Sequence, residues 1–368
     1  MAEITGHIPK YQVVFETLRA EILNGRYTPA RMFPSETMLV RRFGVGRSTV
    51  KRGLEKLVAE GHILRRQGSQ TRITASSQSG SGKIVLIVPG VVHSEFFQTI
   101  CCELIRRCQS AGRTLLMREL ASADPDERAR EALAFAKDAS DENVAGVIFQ
   151  PLERRKHFKT NRRIVEMFVR RSIPVVLLNC DIECAPARSE FDLVGIDNVE
   201  AGNCLANHLI RRGATRIAFV MWPDVPSVYN RLRGVRLAAE GLDVSVKGYS
   251  LNPQNVPSVR RFLREFRPDA IICGNDTAAA YLSHTLKALG KSVPGDILLA
   301  GFDDLQHATI MTPQLTTIHQ PCEQIAATAV SRILARIANP LLPPSKIFLA
   351  SPLVVRQSTE PVRRVRKT

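Results

Sequence analysis

An α/β protein, with a small basic helical module ahead of two doubly wound parallel-sheet lobes, is predicted by three features of this chain. Short β-branched runs alternate with longer amphipathic segments over most of its length, the pattern of βαβ units whose sheets are covered on both faces. The chain has 368 residues, more than one hydrophobic core normally fills. Charge is unevenly spread: residues 1–74 carry thirteen Lys/Arg against six Asp/Glu, a net of +7, while the other 294 residues carry +9 of the total +16. With 44% hydrophobic and 23% charged residues, the composition is that of a globular protein, and wholesale disorder is excluded.

Several classes drop out early. The most apolar stretch, Ile84 to Val92, is broken by Pro89 and Gly90, whereas a bilayer span needs about 20 apolar residues, so no membrane partner is expected. The start, MAEITGHIPKYQ, lacks the apolar run of a signal peptide, so a cytoplasmic location is expected. Eight cysteines occur, none in a Cys-x-x-Cys pair, which predicts buried thiols and neither a zinc site nor a disulfide framework. No metal and no cofactor are expected.

The first 74 residues read as a winged helix-turn-helix. Val14, Leu18 and Ile22 with neighbouring Phe15 fall at helical spacing, and Asn24-Gly25 ends that helix. A second short helix follows Pro34, with Ser35 as its cap and Met38, Leu39 and Phe43 expected to face inward. Gly44-Val45-Gly46 then turns the chain into RSTVKRGLEKLVAE, whose buried stripe is expected at Val50, Leu54, Leu57 and Val58. Two short helices joined by a Gly-containing turn define a helix-turn-helix. Arg47, Ser48, Thr49 and Arg52 cluster at the start of the third helix, the end that meets base edges in a major groove. Arg donates bidentately to guanine, and hydroxyls and helix-start amides suit phosphate oxygens. HILRRQGSQTRIT then reads as a basic hairpin with its turn at Gln67-Gly68-Ser69, a wing able to reach the backbone or minor groove. Double-stranded DNA is therefore the expected partner of this end.

Residues 75–82, ASSQSGSG, hold no large apolar group and are expected to be a flexible linker. Gly82-Lys83 is no phosphate loop, because Ile84 stands where Ser/Thr must reach magnesium and a linker, not a strand, precedes it. Strands are then expected at Ile84–Val88, Thr114–Leu116, Gly146–Gln150, Pro174–Leu178, Leu193–Ile196, Ile217–Met221, Ala270–Cys273 and Ile297–Ala300. These are too many for one small sheet and predict two lobes with a crevice, where ligands sit against strand C-terminal ends. The residues just past those ends are His93, Phe96 and Phe97; Asn179 and Asp181; Asp197 and Asn198; Trp222 and, in the next helix, Arg231; Asn275-Asp276; and Asp303-Asp304. Carboxylates, amides and an Arg each hold neighbouring hydroxyls, and aromatic rings cover an apolar sugar face, so a small polyhydroxylated effector fits. Asp and Asn also cap helices after strands, and both readings stay open for Asp197, Asn198 and Asp276.

Tyr11 to Ile73 resembles the DNA-binding domain of the GntR regulators, with PSE at Pro34, GVGRSTV at Gly44 and RRQGSQT at Arg65. Met32 and Thr37 stand where that family commonly has Arg, and Gln70 where a wing glycine is usual. The resemblance implies DNA contacts from Ser35, Glu36, Arg47, Ser48, Thr49, Arg52, Arg66, Gln67, Gly68 and Ser69. Lys83 to Ser358 is similar to the effector domain of the LacI/GalR repressors, a type I periplasmic-binding-protein-like fold. The matching pieces are VGIDNVEAG at Val194, RLRGV at Arg231, GNDTAA at Gly274, GFDD at Gly301, LTTIHQP at Leu315 and VVRQST at Val354. That similarity implies ligand contacts from Arg231, Asn275 and Asp303, with Phe96, Phe97, Asp181 and Trp222 as further transfers. Asn179-Cys180-Asp181 departs from the Asp-Arg of many members. The combination resembles the arabinose repressors of the AraR type.

The expected organisation is a DNA-binding module at 1–74, a linker at 75–82, an effector body at 83–358 and a basic tail at 359–368. The expected function is a ligand-controlled transcriptional regulator, a repressor acting as a homodimer on a near-palindromic operator. A sugar-processing enzyme is the competing class. Against it, adjacent Asp303 and Asp304 point to opposite sides of an extended segment and cannot flank one bond, and no Gly-x-Ser-x-Gly, His-Glu-x-x-His or Gly-x-Gly-x-x-Gly occurs. An exported solute-binding protein would share the body but not the basic front module.

Overall fold

Helix α1 (Lys10–Leu23) lays Val14, Phe15, Leu18 and Ile22 against α2 (Glu36–Phe43) and α3 (Arg47–Ala59) in a computed structural model. The structure describes residues 9–23, 27, 33–59, 63–64, 71–73, 82–91, 94–120, 122–183 and 187–360. Ser35 caps α2 by accepting from the Met38 amide at 3.3 Å, and Gly44 ends it in the left-handed region at φ 60°, where glycine bears no Cβ penalty. Two inward residues of the sequence reading are exposed instead: Met38 is 61% and Val58 38% exposed. Each helical residue turns about 100° from the last, so Leu39 and Val50, Leu54 and Leu57 take the buried stripe. Gly53 joins that stripe, buried where a Cβ would meet Val14 and the Tyr11 carbonyl. Strands β1 (Ile63–Leu64) and β2 (Arg72–Ile73) pair antiparallel, Ile63 opposite Ile73, and form the base of the hairpin.

The body begins with β3 (Lys83–Ile87), α4 (Glu95–Ser110), β4 (Leu115–Met117), α5 (Pro125–Ser140), β5 (Val144–Phe149), α6 (Phe158–Val169), β6 (Val175–Leu178) and β7 (Asp192–Ile196). It continues with α7 (Asn198–Arg211), β8 (Arg216–Met221), α8 (Pro226–Ala239), β9 (Ser245–Ser250), α9 (Val256–Phe266), β10 (Ala270–Cys273), α10 (Asp276–Ala288) and β11 (Leu298–Asp303). The last elements are α11 (Gln306–Ile310), β12 (Thr316–His319), α12 (Cys322–Ala338), β13 (Lys346–Leu349) and β14 (Leu353–Val354). One sheet runs β13-β7-β6-β5-β3-β4, every pair parallel; the other runs β14-β12-β11-β10-β8-β9, parallel except for β14.

The chain passes between the lobes three times: from β7 to α7, from β12 to α12, which packs on α4 and the first sheet, and from β13 to β14. All eight expected strands are present. Four more, β9, β12, β13 and β14, lie in polar or very short segments. In β12 the buried Thr316 and Thr317 behave as core residues because their hydroxyls are bonded, Thr317 to Asp276 at 2.7 Å and Thr316 to Thr359 at 2.7 Å. Thr359, assigned to the tail by sequence, is itself fully buried and bonded to His208 at 2.8 Å. The packed body therefore runs past Ser358.

Candidate functional site

On the DNA-binding module, Arg47 opens α3 with its side chain 77% exposed and, among the described residues, a 3.4 Å contact to Glu36. Ser48 and Arg52 share the exposed face of α3, while Thr49 is half-buried. Arg52 stacks its guanidinium 4.2 Å above the Tyr11 ring of α1. Ser35 and Glu36 are engaged in the cap and the Arg47 contact, so they order the helix start as much as they present groups outward. Arg42 is held internally by Glu21 and by Tyr27 Oη at 2.9 Å. Arg66, Gln67, Gly68 and Ser69 of the wing lie outside the described residues.

Between the lobes, the strand C-terminal ends bring together a buried charge cluster. Arg231, on the second turn of α8, is 6% exposed. Its Nε donates to Asn198 Oδ1 at 2.8 Å and its Nη1 to the Gly274 carbonyl at 2.6 Å, with Asp303 Oδ1 3.7 Å away. The Phe302 ring lies 4.6 Å below the guanidinium. A close helix crossing sets this position. A Cβ on Gly202 of α7 would stand 2.0 Å from the Arg231 carbonyl, and one on Gly234 of α8 would stand 1.9 Å from the Val199 carbonyl.

Asp303 accepts from Gln320 Nε2 at 2.6 Å. Burial raises its carboxyl to about 6, against the pull of Arg231 and Gln320. Behind it, burial and the Asp303 charge push Asp276 well above the carboxylate range. The backbone at Asp303 and Asp304 is left-handed, φ 126° and 57°, a strained state for non-glycine residues that packing must over-determine. The Asp304 amide is tied to Asp276 Oδ2 at 2.8 Å. Asp304 itself faces Arg356 at 2.6 Å and His319 at 3.0 Å, away from the partners of Asp303.

The other candidates divide. Asn275 lies beside the cluster, and its side chain caps α10 through the Ala278 amide at 2.7 Å. Asp197 caps α7 through the Val199 amide at 2.8 Å and the Glu200 amide at 3.0 Å. Asp181 is occupied elsewhere: it accepts from Lys346 at 2.9 Å and from the Ser189 and Glu183 amides, anchoring the β6–β7 loop. Burial raises its carboxyl, but Lys346 and Ser189 outweigh it and the net shift is downward. Phe96 is 7% exposed and packs in the core with Ile100 and Leu104, leaving the half-buried Phe97 as the aromatic group nearer the surface of the pair. Trp222 meets Tyr281 edge-on at 5.9 Å. His93 lies outside the described residues.

Two carboxylates escaped the sequence reading. Glu153 follows β5 and accepts from the Ser227 amide of the opposite lobe at 3.1 Å. Burial raises it, opposed by the hydrogen bonds from Ser227 and the charge of Arg231. Glu95, the first residue of α4, reaches the Gln306 amide and His307 Nδ1, the latter at 2.5 Å. Glu153 obeyed the same strand-end rule as the residues that were chosen. A cavity of about 400 Å³ between α8 and β9, lined by Arg233, Arg236 and Leu237, is on the far side of α8 from Asn198 and Gly274. Among the described residues no group of His, Cys, Asp and Glu is arranged to hold a metal ion, and no helix is long and apolar enough to cross a membrane.

Residues 10–73 match the gntR family of bacterial regulatory proteins, and residues 206–359 match the periplasmic binding protein-like domain. The chain is 28% identical to the arabinose metabolism transcriptional repressor of Geobacillus stearothermophilus over 96% of its own length and 99% of that protein. It is 31% identical to the ribose operon repressor of Escherichia coli (strain K12), over 51% of this chain and 58% of the relative. The solved complex of the transcriptional regulator CelR with cellobiose superposes with a TM-score of 0.64 at 20% identity, covering 89% of this chain and all of that one, which is a likeness of fold. The chain is thus a transcriptional regulator and not an enzyme, joining a gntR-type DNA-binding module to a periplasmic binding protein-like body in the arrangement of the AraR-type arabinose repressors.

Proposed function

We propose that this regulator is a repressor whose body closes on a small uncharged sugar and then releases its operator. The observation that carries this reading is the cluster at the lobe junction. Arg231 and Asp303, fixed by Asn198, the Gly274 carbonyl and Gln320, offer a donor and an acceptor side by side, the geometry that binds neighbouring hydroxyls. Because Arg231 is already neutralised by Asp303, with Glu153 close by, an added anion finds little unpaired positive charge. Pentoses are the first candidates, since relatives are named for arabinose metabolism and the ribose operon.

A homodimer would set two α3 helices into successive major grooves of a two-fold operator in the cytoplasm. Derepression requires the sugar to prefer the arrangement that binds DNA poorly, because equal affinity for both arrangements shifts nothing. Thermal-shift screening of the full chain against pentoses, hexoses and their phosphates tests the effector class, since a ligand of the folded state raises Tm. A rise with neutral sugars and none with phosphates is expected. Stabilisation by phosphates alone overturns the class.

A further inference from the structure

Five helices of the second lobe follow strand C-terminal ends, and they differ in how their first turns are satisfied. Three cap themselves: Asp197 for α7, Asn255 for α9 and Asn275 for α10. The other two begin with residues that have no polar side chain, Val225 before α8 and Leu305 before α11, and neither makes a side-chain cap. These are the two helices reached from the opposite lobe. Glu153 accepts from the Ser227 amide on α8 at 3.1 Å, and Glu95 takes the Gln306 amide and the His307 ring on α11.

A helix start leaves its first amides without intrahelical partners, and a carboxylate placed there is favoured by both the hydrogen bond and the dipole. In α8, a helix of 14 residues, the missing acceptor is supplied by another lobe. In α11, with five residues, the contribution is one amide and the pairing with His307. The two contacts come from different segments of the first lobe, the loop after β5 and the start of α4 after β3, so separating the lobes breaks both.

We propose that Glu153 and Glu95 are positioning residues that latch the lobes shut, supplying across the cleft the hydrogen-bond acceptors that the first turns of α8 and α11 lack. This rests on the reading that the body opens and closes around an effector. It also accounts for Val225 and Leu305, because a helix with its own cap would gain nothing from closure.

Hydrogen exchange of the full chain, read by mass spectrometry, isolates the latch. The Ser227 amide has no intrahelical acceptor, so its protection reports Glu153 and not the stability of α8. Glu153→Ala is expected to speed exchange in the first turn of α8 by roughly tenfold, with Tm unchanged. Glu153→Gln keeps an acceptor oxygen and is expected to retain most of the protection. Glu95→Ala should act in the same way on the first turn of α11, and the double alanine variant should show a larger radius of gyration by small-angle scattering. Equal exchange at Ser227 in the wild type and Glu153→Ala, or an unchanged radius in the double variant, overturns the latch. D-ribose and L-arabinose are then titrated into each variant. Failure of both sugars to stabilise even the wild type counts against the proposed effector, while the exchange result still decides the latch.

Discussion

At the residue scale, the cleft depends on a carboxylate kept where water cannot fully solvate it. Asp303 is raised from 3.8 to about 6, chiefly by burial. A carboxyl raised in the folded state contributes stability that is complete below its unfolded value and lost as pH rises through the folded one. Wild-type stability should therefore fall relative to Asp303→Asn between about pH 4 and pH 7, by at most about 3 kcal/mol at 1.36 kcal/mol per unit. Urea unfolding of both proteins across that range checks this, and a difference independent of pH would show that the carboxyl is not shifted. The same substitution removes the acceptor beside Arg231 and should abolish the Tm response to sugar while leaving operator affinity intact. Arg47 is the converse case, 77% exposed and in long contact with Glu36 at 3.4 Å among the described residues, hence able to turn to a base edge. Arg47→Ala is expected to lower specific operator affinity by about 1–3 kcal/mol, measured by fluorescence anisotropy on a duplex selected from a random pool. Unchanged affinity would take α3 out of the groove.

At the element scale, α7 and α8 cross so closely that a single methyl group has nowhere to go. Gly202→Ala would set its Cβ 2.0 Å from the Arg231 carbonyl. Because that atom is backbone, the helices must part, at about 1–3 kcal/mol of overpacking. Urea unfolding should show the loss, and sugar binding should weaken more than stability alone explains, since Arg231 moves with its helix. Such a crossing was not legible in the sequence, where Gly202 and Gly234 are only two glycines within helical patterns. Helix and strand identity was legible wherever periodicity was strong, as in β5 and β8, whose runs are buried almost throughout. It was lost in β12, where buried threonines depend on partners 40 or more residues away. Among the candidate site residues, Arg231, Asn275 and Asp303 are legible because they sit in motifs or at strand ends, and the structure brings Arg231 and Asp303 together while Asn275 caps α10 beside them. The engagement of Asp181 with Lys346 on β13 could not, because β13 itself was not visible as a strand. Glu153 carries the same strand-end signal as the other candidates, just past β5, but neither it nor Glu95 has anything local in the sequence that marks its partner on the other lobe.

At the scale of the whole molecule, three chain crossings join two lobes, and a module carrying +7 of the +16 net charge precedes them. Charge on that module supplies sequence-independent affinity that falls with salt as counterions are released. The body can then act only by changing the geometry in which that charge is presented. If closing on a sugar weakens operator binding by some factor, operator must weaken sugar binding by the same factor, because both are legs of one thermodynamic cycle. The expected coupling is about 1–3 kcal/mol, or roughly 5- to 150-fold. Sugar affinity measured by calorimetry with and without saturating operator should shift by the ratio seen when operator is titrated with and without sugar, at one fixed salt concentration. Latch variants make the prediction sharper. Glu153→Ala with Glu95→Ala favours the open arrangement before any ligand is present, so operator should bind at least as tightly as to wild type. Sugar must then also do the work of closing the lobes, and its apparent affinity should drop. Variants that weaken sugar and operator together would show instead that closure and release are not opposed, and that the body controls the DNA module by some other movement.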